Sequence, residues 1–319
     1  MEKVFQFGII GAGNIAKRFC DAVRMVDHAR VSAVASRTPG KGERFAEENG
    51  IETVCRTYEE LVCRKEIDAV YIATTHNFHY ENILLALNHG KHVLCEKAMV
   101  LTKAQAEEVF ALAREKRLVC MEAMWSRFLP AVQQARKWAQ SGRLGEIEMA
   151  NCVIGFRCDP DPKGRILNPD LAGGALYDIG VYAIELMNYL IPQKLEKISS
   201  QLTKTVQGVD KVDCITLGYE NCVAGLQLTI SAGVESTLNI YGTKGRIRIP
   251  EPIFADTCEL YDDKGLAEKF FQRRENGFEY EVAELIRCAE SGEMESPVIP
   301  HADTVLCAEI FDRCMEDNR

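Results

Sequence analysis

The chain has 319 residues, 47% hydrophobic and 27% charged, with 10 prolines and a net charge of −9 from 38 bases and 47 acids. That length implies two domains with separate cores, and the composition excludes a largely disordered or fibrous chain. No apolar run approaches the ~18 residues of a membrane span; the N-terminus Met1-Glu2-Lys3-Val4-Phe5 does not read as a signal peptide, and the lack of a basic cluster disfavours nucleic acid.

The first 120 or so residues alternate between two periodicities. Val4 to Ile10 is a continuous apolar run, as in a strand buried on both faces, and Ile15, Phe19 and Val23 then recur at helical spacing. Val31 to Ala35 predicts a strand and Gly42 to Asn49 a helix stopped at Gly50. Ile67 to Ala73 is the next strand, followed by a helix with Tyr80, Ile83, Leu84 and Leu87 on one face and a stop at Gly90. His92 to Cys95, Ala104 to Lys116 and Leu118 to Met121 add strand, helix and strand. Such alternation predicts a parallel, doubly wound sheet, a Rossmann domain.

Beyond a helix over Ala131–Gln140 the pattern changes. Ile147 to Ile154 opens a series of strands, and strict alternation at Ala224, Leu226, Leu228 and Ile230, at Leu238 and Ile240, and at Ile247 and Ile249 suits an antiparallel sheet with one face packed and one free. The turn Gly242-Thr243-Lys244-Gly245 joins two of these strands. Two helices follow, marked by Phe278, Val282, Leu285 and Ala289, and by Ala302, Val305, Leu306 and Ile310. The expected division is a Rossmann domain over residues 1–123 and a second α/β domain with a large, mostly antiparallel sheet over residues 124–319.

Gly8-Ile9-Ile10-Gly11-Ala12-Gly13-Asn14-Ile15-Ala16 fits G-x-G-x-x-A between a strand and a helix. Gly11 permits a tight turn, Gly13 lets backbone approach a pyrophosphate at the helix N-terminus, and Ala16 allows close helix–strand packing. About twenty residues on, where an acid would hold the ribose 2′-hydroxyl of NAD, the chain reads Ser32-Ala33-Val34-Ala35-Ser36-Arg37-Thr38. No carboxylate is present, and Arg37, aided by Ser36 and Lys41, suits a 2′-phosphate; the expected cofactor is NADP rather than NAD.

Cys95-Glu96-Lys97-Ala98 ends a predicted parallel strand, on the rim where such sheets bind ligands. Lys97 there suits stabilisation of an alkoxide, although spacing alone equally allows a Glu–Lys surface pair. His76 and His79 form an H-x-x-H pair without a third ligand, so no metal is expected. The thirteen cysteines are scattered, odd in number and without a C-x-x-C pair. Cys95, Cys120 and Cys214 sit in apolar stretches, which reads as small hydrophobes in a reducing cytoplasm. Trp125 lies at the domain junction, its face equally suited to stacking on a ligand ring or to packing.

Gly11-x-Gly13-x-x-Ala16, Glu96-Lys97 and Gly173-Gly174-Ala175-Leu176-Tyr177-Asp178-Ile179-Gly180-Val181-Tyr182 together resemble the glucose–fructose oxidoreductase/inositol dehydrogenase (Gfo/Idh/MocA) family. Met121 to Phe128 and Gly155-Phe156-Arg157 are similar to its branch of dimeric dihydrodiol dehydrogenases and NADP-dependent D-xylose dehydrogenases. The resemblance implies hydride transfer between nicotinamide and a secondary alcohol or hemiacetal carbon of a sugar, polyol or trans-dihydrodiol, and a homodimer through the C-terminal sheet. It implies that Lys97 touches nicotinamide ribose and substrate hydroxyl, with Ala98 standing where the family has proline. It places Thr74, His76 and His79 near the nicotinamide half of the cofactor. It makes Tyr182 the general acid/base and Asp178 an orienting group, four residues apart on one helical face. Arg127, Phe156 and Arg157 are further pocket candidates. Two other functions share this pattern: an enzyme that retains its cofactor and uses transient oxidation for glycoside cleavage or oxidoreductive exchange, and a non-catalytic dinucleotide sensor.

Overall fold

The computed structural model describes residues 4–318; residues 1–3, on which part of the N-terminal reading falls, and residue 319 lie outside the described residues. In chain order the first elements are β1 (Phe5–Ile10), α1 (Asn14–Val23), β2 (Ala29–Ala35), α2 (Lys41–Asn49), β3 (Thr53–Cys55), α3 (Tyr58–Val62), β4 (Ala69–Ile72), α4 (His79–Asn88), β5 (His92–Glu96), α5 (Lys103–Lys116), β6 (Cys120–Ala123) and the short α6 (Trp125–Phe128). There follow α7 (Pro130–Gln140), β7 (Ile147–Gly155), α8 (Val181–Leu190), β8 (Leu195–Lys204), β9 (Asp210–Tyr219), β10 (Val223–Thr229), β11 (Thr237–Gly242), β12 (Gly245–Pro250), β13 (Thr257–Asp262), β14 (Gly265–Phe271), α9 (Glu279–Ser291) and α10 (His301–Asp317).

The chain forms two compact units, one of Met1–Trp125 and Asn276–Val305, the other of Ser126–Glu275 and Leu306–Arg319. Chain order therefore does not follow unit membership: a single break near Ala123 misses the return of Asn276–Val305 to the first unit. Tertiary contacts explain the return. His301 Nε2 lies 3.0 Å from the Cys120 carbonyl, its ring stacks on Phe110, and the Thr304 hydroxyl donates to Glu122.

In the first unit the described strands form a parallel sheet ordered β3-β2-β1-β4-β5-β6. Its central strands are buried on both faces, with Ile9, Ile10, Val34, Val70 and Leu94 fully covered, which is why they read as unbroken apolar runs. The strand order reverses between β1 and β4, and the crevice at the carboxyl ends of strands on either side of such a reversal is where open α/β sheets bind ligands. Helix starts follow local chemistry: Thr102 accepts from the Gln105 amide while the Gln105 side chain accepts from the Leu101 amide, which fixes the entry to α5.

In the second unit the described strands form an eight-stranded sheet ordered β14-β13-β12-β11-β7-β10-β9-β8. The β7–β10 pair is parallel and the other pairs are antiparallel. Ala150, Cys152, Ile154, Leu226, Leu228, Leu238, Ile240 and Ile247 line the packed face. Against it lie α7, over β12 and β13, and α8, over β7 and β10. The opposite face exposes Met149 and Val223 and is bridged by a 3.0 Å Asn239–Asn151 hydrogen bond. Cys214 projects to that exposed side, which corrects its reading as a core residue; Cys95 and Cys120 are buried.

Candidate active site

The turn after β1 is built as the motif requires. Gly11 has φ +102°, and a Cβ there would sit 2.7 Å from the Ala73 carbonyl oxygen of the neighbouring β4 segment. A Cβ on Gly13 would meet no atom within 4 Å, so the space above the first turn of α1 is open. Gly13 provides no side-chain cap, and the first turn holds no acid. The amides of Asn14, Ile15 and Ala16 are thus available to an anion, a donor set that fits a dinucleotide pyrophosphate. At the end of β2, the exposed Arg37 lies with its guanidinium carbon 3.8 Å from the ring centroid of Phe78 and 5.8 Å from that of Tyr58. Those two rings fix the direction of the cation and were not singled out in the sequence. Ser36 caps the Thr38 amide, and Lys41 opens α2 in solvent.

Lys97, half-buried, follows β5 on the same rim of the same sheet, and its peptide bond to Ala98 is cis. Two buried groups brace it. His79 is fully covered, with Nδ1 2.8 Å from the Ala98 carbonyl and Nε2 3.1 Å from the Thr74 carbonyl. Burial lowers its pKa to about 4, so the ring is neutral and its single N–H donates to one of these two backbone carbonyls. Both ring nitrogens already face protein, which puts His79 behind the rim rather than on it; His76, nearly buried, packs edge-on against it. Glu96 also turns inward, accepting from the Tyr71 hydroxyl at 2.5 Å while Tyr71 stacks on Phe19. Burial raises the Glu96 pKa against the opposing pull of Tyr71 and Lys97. Glu281 of α9 is a second buried carboxyl, held well above its ordinary pKa by burial and by Glu96.

In the second unit, Asp178 and Tyr182 lie where a π-helical turn, Leu176–Gly180, runs into α8. An extra residue per turn at such a junction changes the direction of the side chains that follow, and π turns concentrate at functional sites. Both residues are mostly buried. Asp178 is held by Arg165, whose Nη1 approaches Oδ1 at 2.8 Å from the loop between β7 and the turn. Sequence reasoning missed Arg165, since no local pattern pairs a loop cation with a carboxylate thirteen residues on.

Other candidates separate by burial. Trp125 is 2% exposed and packs within the first unit, beneath the Arg18 guanidinium at 4.5 Å and beside Phe278. Arg127 is fully buried: Nε and Nη2 donate to the Glu185 carbonyl, Nη2 pairs with the Glu185 carboxylate at 2.5 Å, and the guanidinium lies over Tyr189. That corrects its reading as a pocket residue, because its donors tie α6 to α8. Phe156 and Arg157 extend from β7, the latter exposed and bridged to Ser231. Among the described residues no three His, Cys, Asp or Glu side chains are grouped as a metal ion would need.

A phosphate loop at the strand-order reversal of a six-stranded parallel sheet, with a lysine on the same rim, defines a nicotinamide-dinucleotide-binding α/β oxidoreductase. Residues 5–124 match the oxidoreductase family with NAD-binding Rossmann fold, and residues 132–248 match the GFO/IDH/MocA C-terminal domain. Trans-1,2-dihydrobenzene-1,2-diol dehydrogenase of Bos taurus is 32% identical over 96% of this chain and 95% of its own, and that of Mus musculus 33% over the same shares. A 3-ketoreductase from Actinomadura kijaniata, solved with NADP and TDP-benzene, superposes with a TM-score of 0.89 at 27% identity over 99% of this chain and 98% of its own. The chain belongs to the Gfo/Idh/MocA oxidoreductase family. No helix among the described residues is long and apolar enough to cross a membrane.

Proposed function

We propose that this oxidoreductase uses NADP to move a hydride between nicotinamide and a secondary alcohol or hemiacetal carbon of a sugar, polyol or trans-dihydrodiol. The observation that carries the reading is Lys97 at the carboxyl end of β5, on the rim it shares with the Gly11–Ala16 loop. Arg37 at the end of β2, with no acid beside it, supports the 2′-phosphate, as does the NADP bound by the 27%-identical ketoreductase. The relatives named for a dihydrodiol support the substrate class.

When bound, NADP supplies the hydride acceptor, nicotinamide C4. The amides of Asn14, Ile15 and Ala16 hold the pyrophosphate, and Arg37, Ser36 and Lys41 hold the 2′-phosphate. Thr74, His76, His79 and Glu96 shape the rim around the nicotinamide half, His79 and Glu96 through their grip on the segment that carries Lys97. In oxidation Tyr182, acting as phenolate, takes the hydroxyl proton, Lys97 stabilises the alkoxide, and Asp178, steadied by Arg165, orients the alcohol. Phe156 and Arg157 contribute to substrate selection, and Trp125 packs in the core of the first unit. The open face of the eight-stranded sheet, with Met149 and Val223 exposed, serves a homodimer. The buried thiols, ten of the thirteen, fit a reducing cytoplasm.

The test is calorimetric titration of wild type and Arg37→Ala with NADPH and NADH, followed by turnover of a panel of sugars, polyols and trans-1,2-dihydrobenzene-1,2-diol with NADP. Tight NADPH binding that falls to the NADH level in the variant, with net NADPH formation from one of the panel, is the expected result. NADH binding tighter than NADPH, with no effect of Arg37→Ala, overturns the cofactor assignment. Cofactor binding without turnover of any member overturns the substrate class.

A further inference from the structure

The turn that carries Asp178 and Tyr182 is gripped from below by a strand the reaction does not use. The Leu176 amide, at the start of the π turn, donates to Asp210 Oδ2 at 2.6 Å. Gly174, two residues earlier, has φ +114°, and a Cβ there would fall 2.1 Å from Asp210 Oδ1. Its glycine therefore serves both the backbone angle and the approach of the carboxylate. From the other side the Gly174 amide donates to the Ile166 carbonyl at 2.9 Å, so the turn is held between the Arg165–Ile166 loop and β9.

Asp210 reaches this position through a local irregularity. On β8, Thr203 pairs with Val212 and the next residue, Lys204, pairs with Asp210, so Lys211 has no opposite number. One extra residue in a strand turns side chains on either side of it toward the same face. Asp210 and Asp213, an odd number of positions apart, are both buried as a result, at 3% and 0% exposure. No donor group reaches either Asp213 oxygen, and the group within hydrogen-bonding reach of its carboxyl is Asp210. Burial and that charge push Asp213 up to about 9. Two adjacent buried carboxyls resist carrying two charges, and the Asp210 carboxyl is the one that satisfies an orphan amide at the helix start. The other titratable groups packed here are Tyr177 of the turn, raised by burial and by Asp210 and Asp312, and Cys314 of α10, raised to about 12 by burial with Asp213, Asp317 and Asp210 alongside.

We infer that Asp210, backed by Asp213, is a positioning residue that fixes the turn from which Asp178 and Tyr182 project. The inference rests on the proposed roles of those two residues, and its test separates the two ideas. Hydrogen–deuterium exchange of the 173–182 segment in the intact enzyme needs no substrate; kcat and KM are read with the best substrate of the panel, and NADPH affinity by titration. In Asp210→Ala the segment exchanges at least ~10-fold faster, kcat falls by a similar factor or more, and the NADPH Kd stays within twofold. Asp210→Asn, whose amide oxygen still accepts from Leu176, recovers most of both losses. Wild type is expected to lose protection of the segment between pH 8 and pH 10, and Asp213→Asn to relieve that loss. Gly174→Ala, which presses on the same carboxylate from the opposite side, reproduces the faster exchange if Asp210→Ala does not fold. Unchanged exchange in Asp210→Ala or Gly174→Ala overturns the positioning role whatever the activity. Faster exchange with unchanged kcat overturns the link to catalysis, and an unaltered kcat in Tyr182→Phe then locates the failure in the proposed role of the tyrosine.

Discussion

The two units hold their candidate functional groups by different means. In the first, the loop at Gly11–Gly13, Arg37 and Lys97 stand at the ends of strands buried on both faces, so the regular sheet itself sets their places. In the second, Asp178 and Tyr182 stand on an irregular turn held by Arg165, Ile166 and Asp210 from distant parts of the chain. A site placed by topology tolerates change around it; a site placed by a few long-range polar contacts depends on each of them.

The sharpest way to break this contrast is at the chemistry itself. Tyr182→Phe keeps the packing and removes the proposed proton acceptor, so kcat is expected to fall by about 10²–10⁴-fold while affinity for NADPH, whose proposed site lies in the first unit, is retained; parallel kinetics and titration check both. Next in size is the buried pair beneath α8. Arg127→Met strands the Glu185 carboxylate and costs about 3–5 kcal/mol of stability, read by urea unfolding.

The pH response of stability distinguishes two buried groups, His79 of the first unit and Asp213 of the second, by sign. His79 has its pKa lowered from 6.5 to about 4, so the unfolded chain binds the extra proton and stability is lost as pH falls through that window, by about 3 kcal/mol in full. Asp213 has its pKa raised from 3.8 to about 9, so the folded chain holds the extra proton and stability is lost as pH climbs through that span. Unfolding free energies measured from pH 4 to pH 10 show a flatter acid limb in His79→Gln and a flatter alkaline limb in Asp213→Asn. The smallest effect belongs to Arg165→Ala. Its guanidinium is 46% exposed, so the pair with Asp178 contributes under about 1 kcal/mol to stability, and the loss shows instead as a several-fold fall in kcat.

The same contrast explains what could be read from the chain alone. The β1, β2, β4 and β5 strands announced themselves as apolar runs, and the glycine spacing after β1 placed the phosphate loop. The three-residue β3 and five-residue α3 are too short to show a period, and β14, exposed along most of its length, has no apolar alternation to find. Arg127 looked like a pocket residue because sequence shows its charge and not its partner Glu185, fifty-eight residues away. Asp210 and Asp213 did leave a trace: two acids in Val209-Asp210-Lys211-Val212-Asp213-Cys214-Ile215, ahead of an alternating strand, interrupt a face that should be apolar. The register irregularity that turns both inward has no counterpart in the sequence.

The distribution of thiols makes the protein a reporter of its own motions. Cys63 in the first unit and Cys214 in the second are exposed, whereas burial holds the Cys20 and Cys258 thiols up at about 12. An alkylating reagent consumes thiolate, so it marks Cys63, Cys214 and the half-exposed Cys158 first and waits for the ten buried thiols to be uncovered. The order in which masses appear in the labelled chain is then a clock for local opening, with a hand on each half of the molecule.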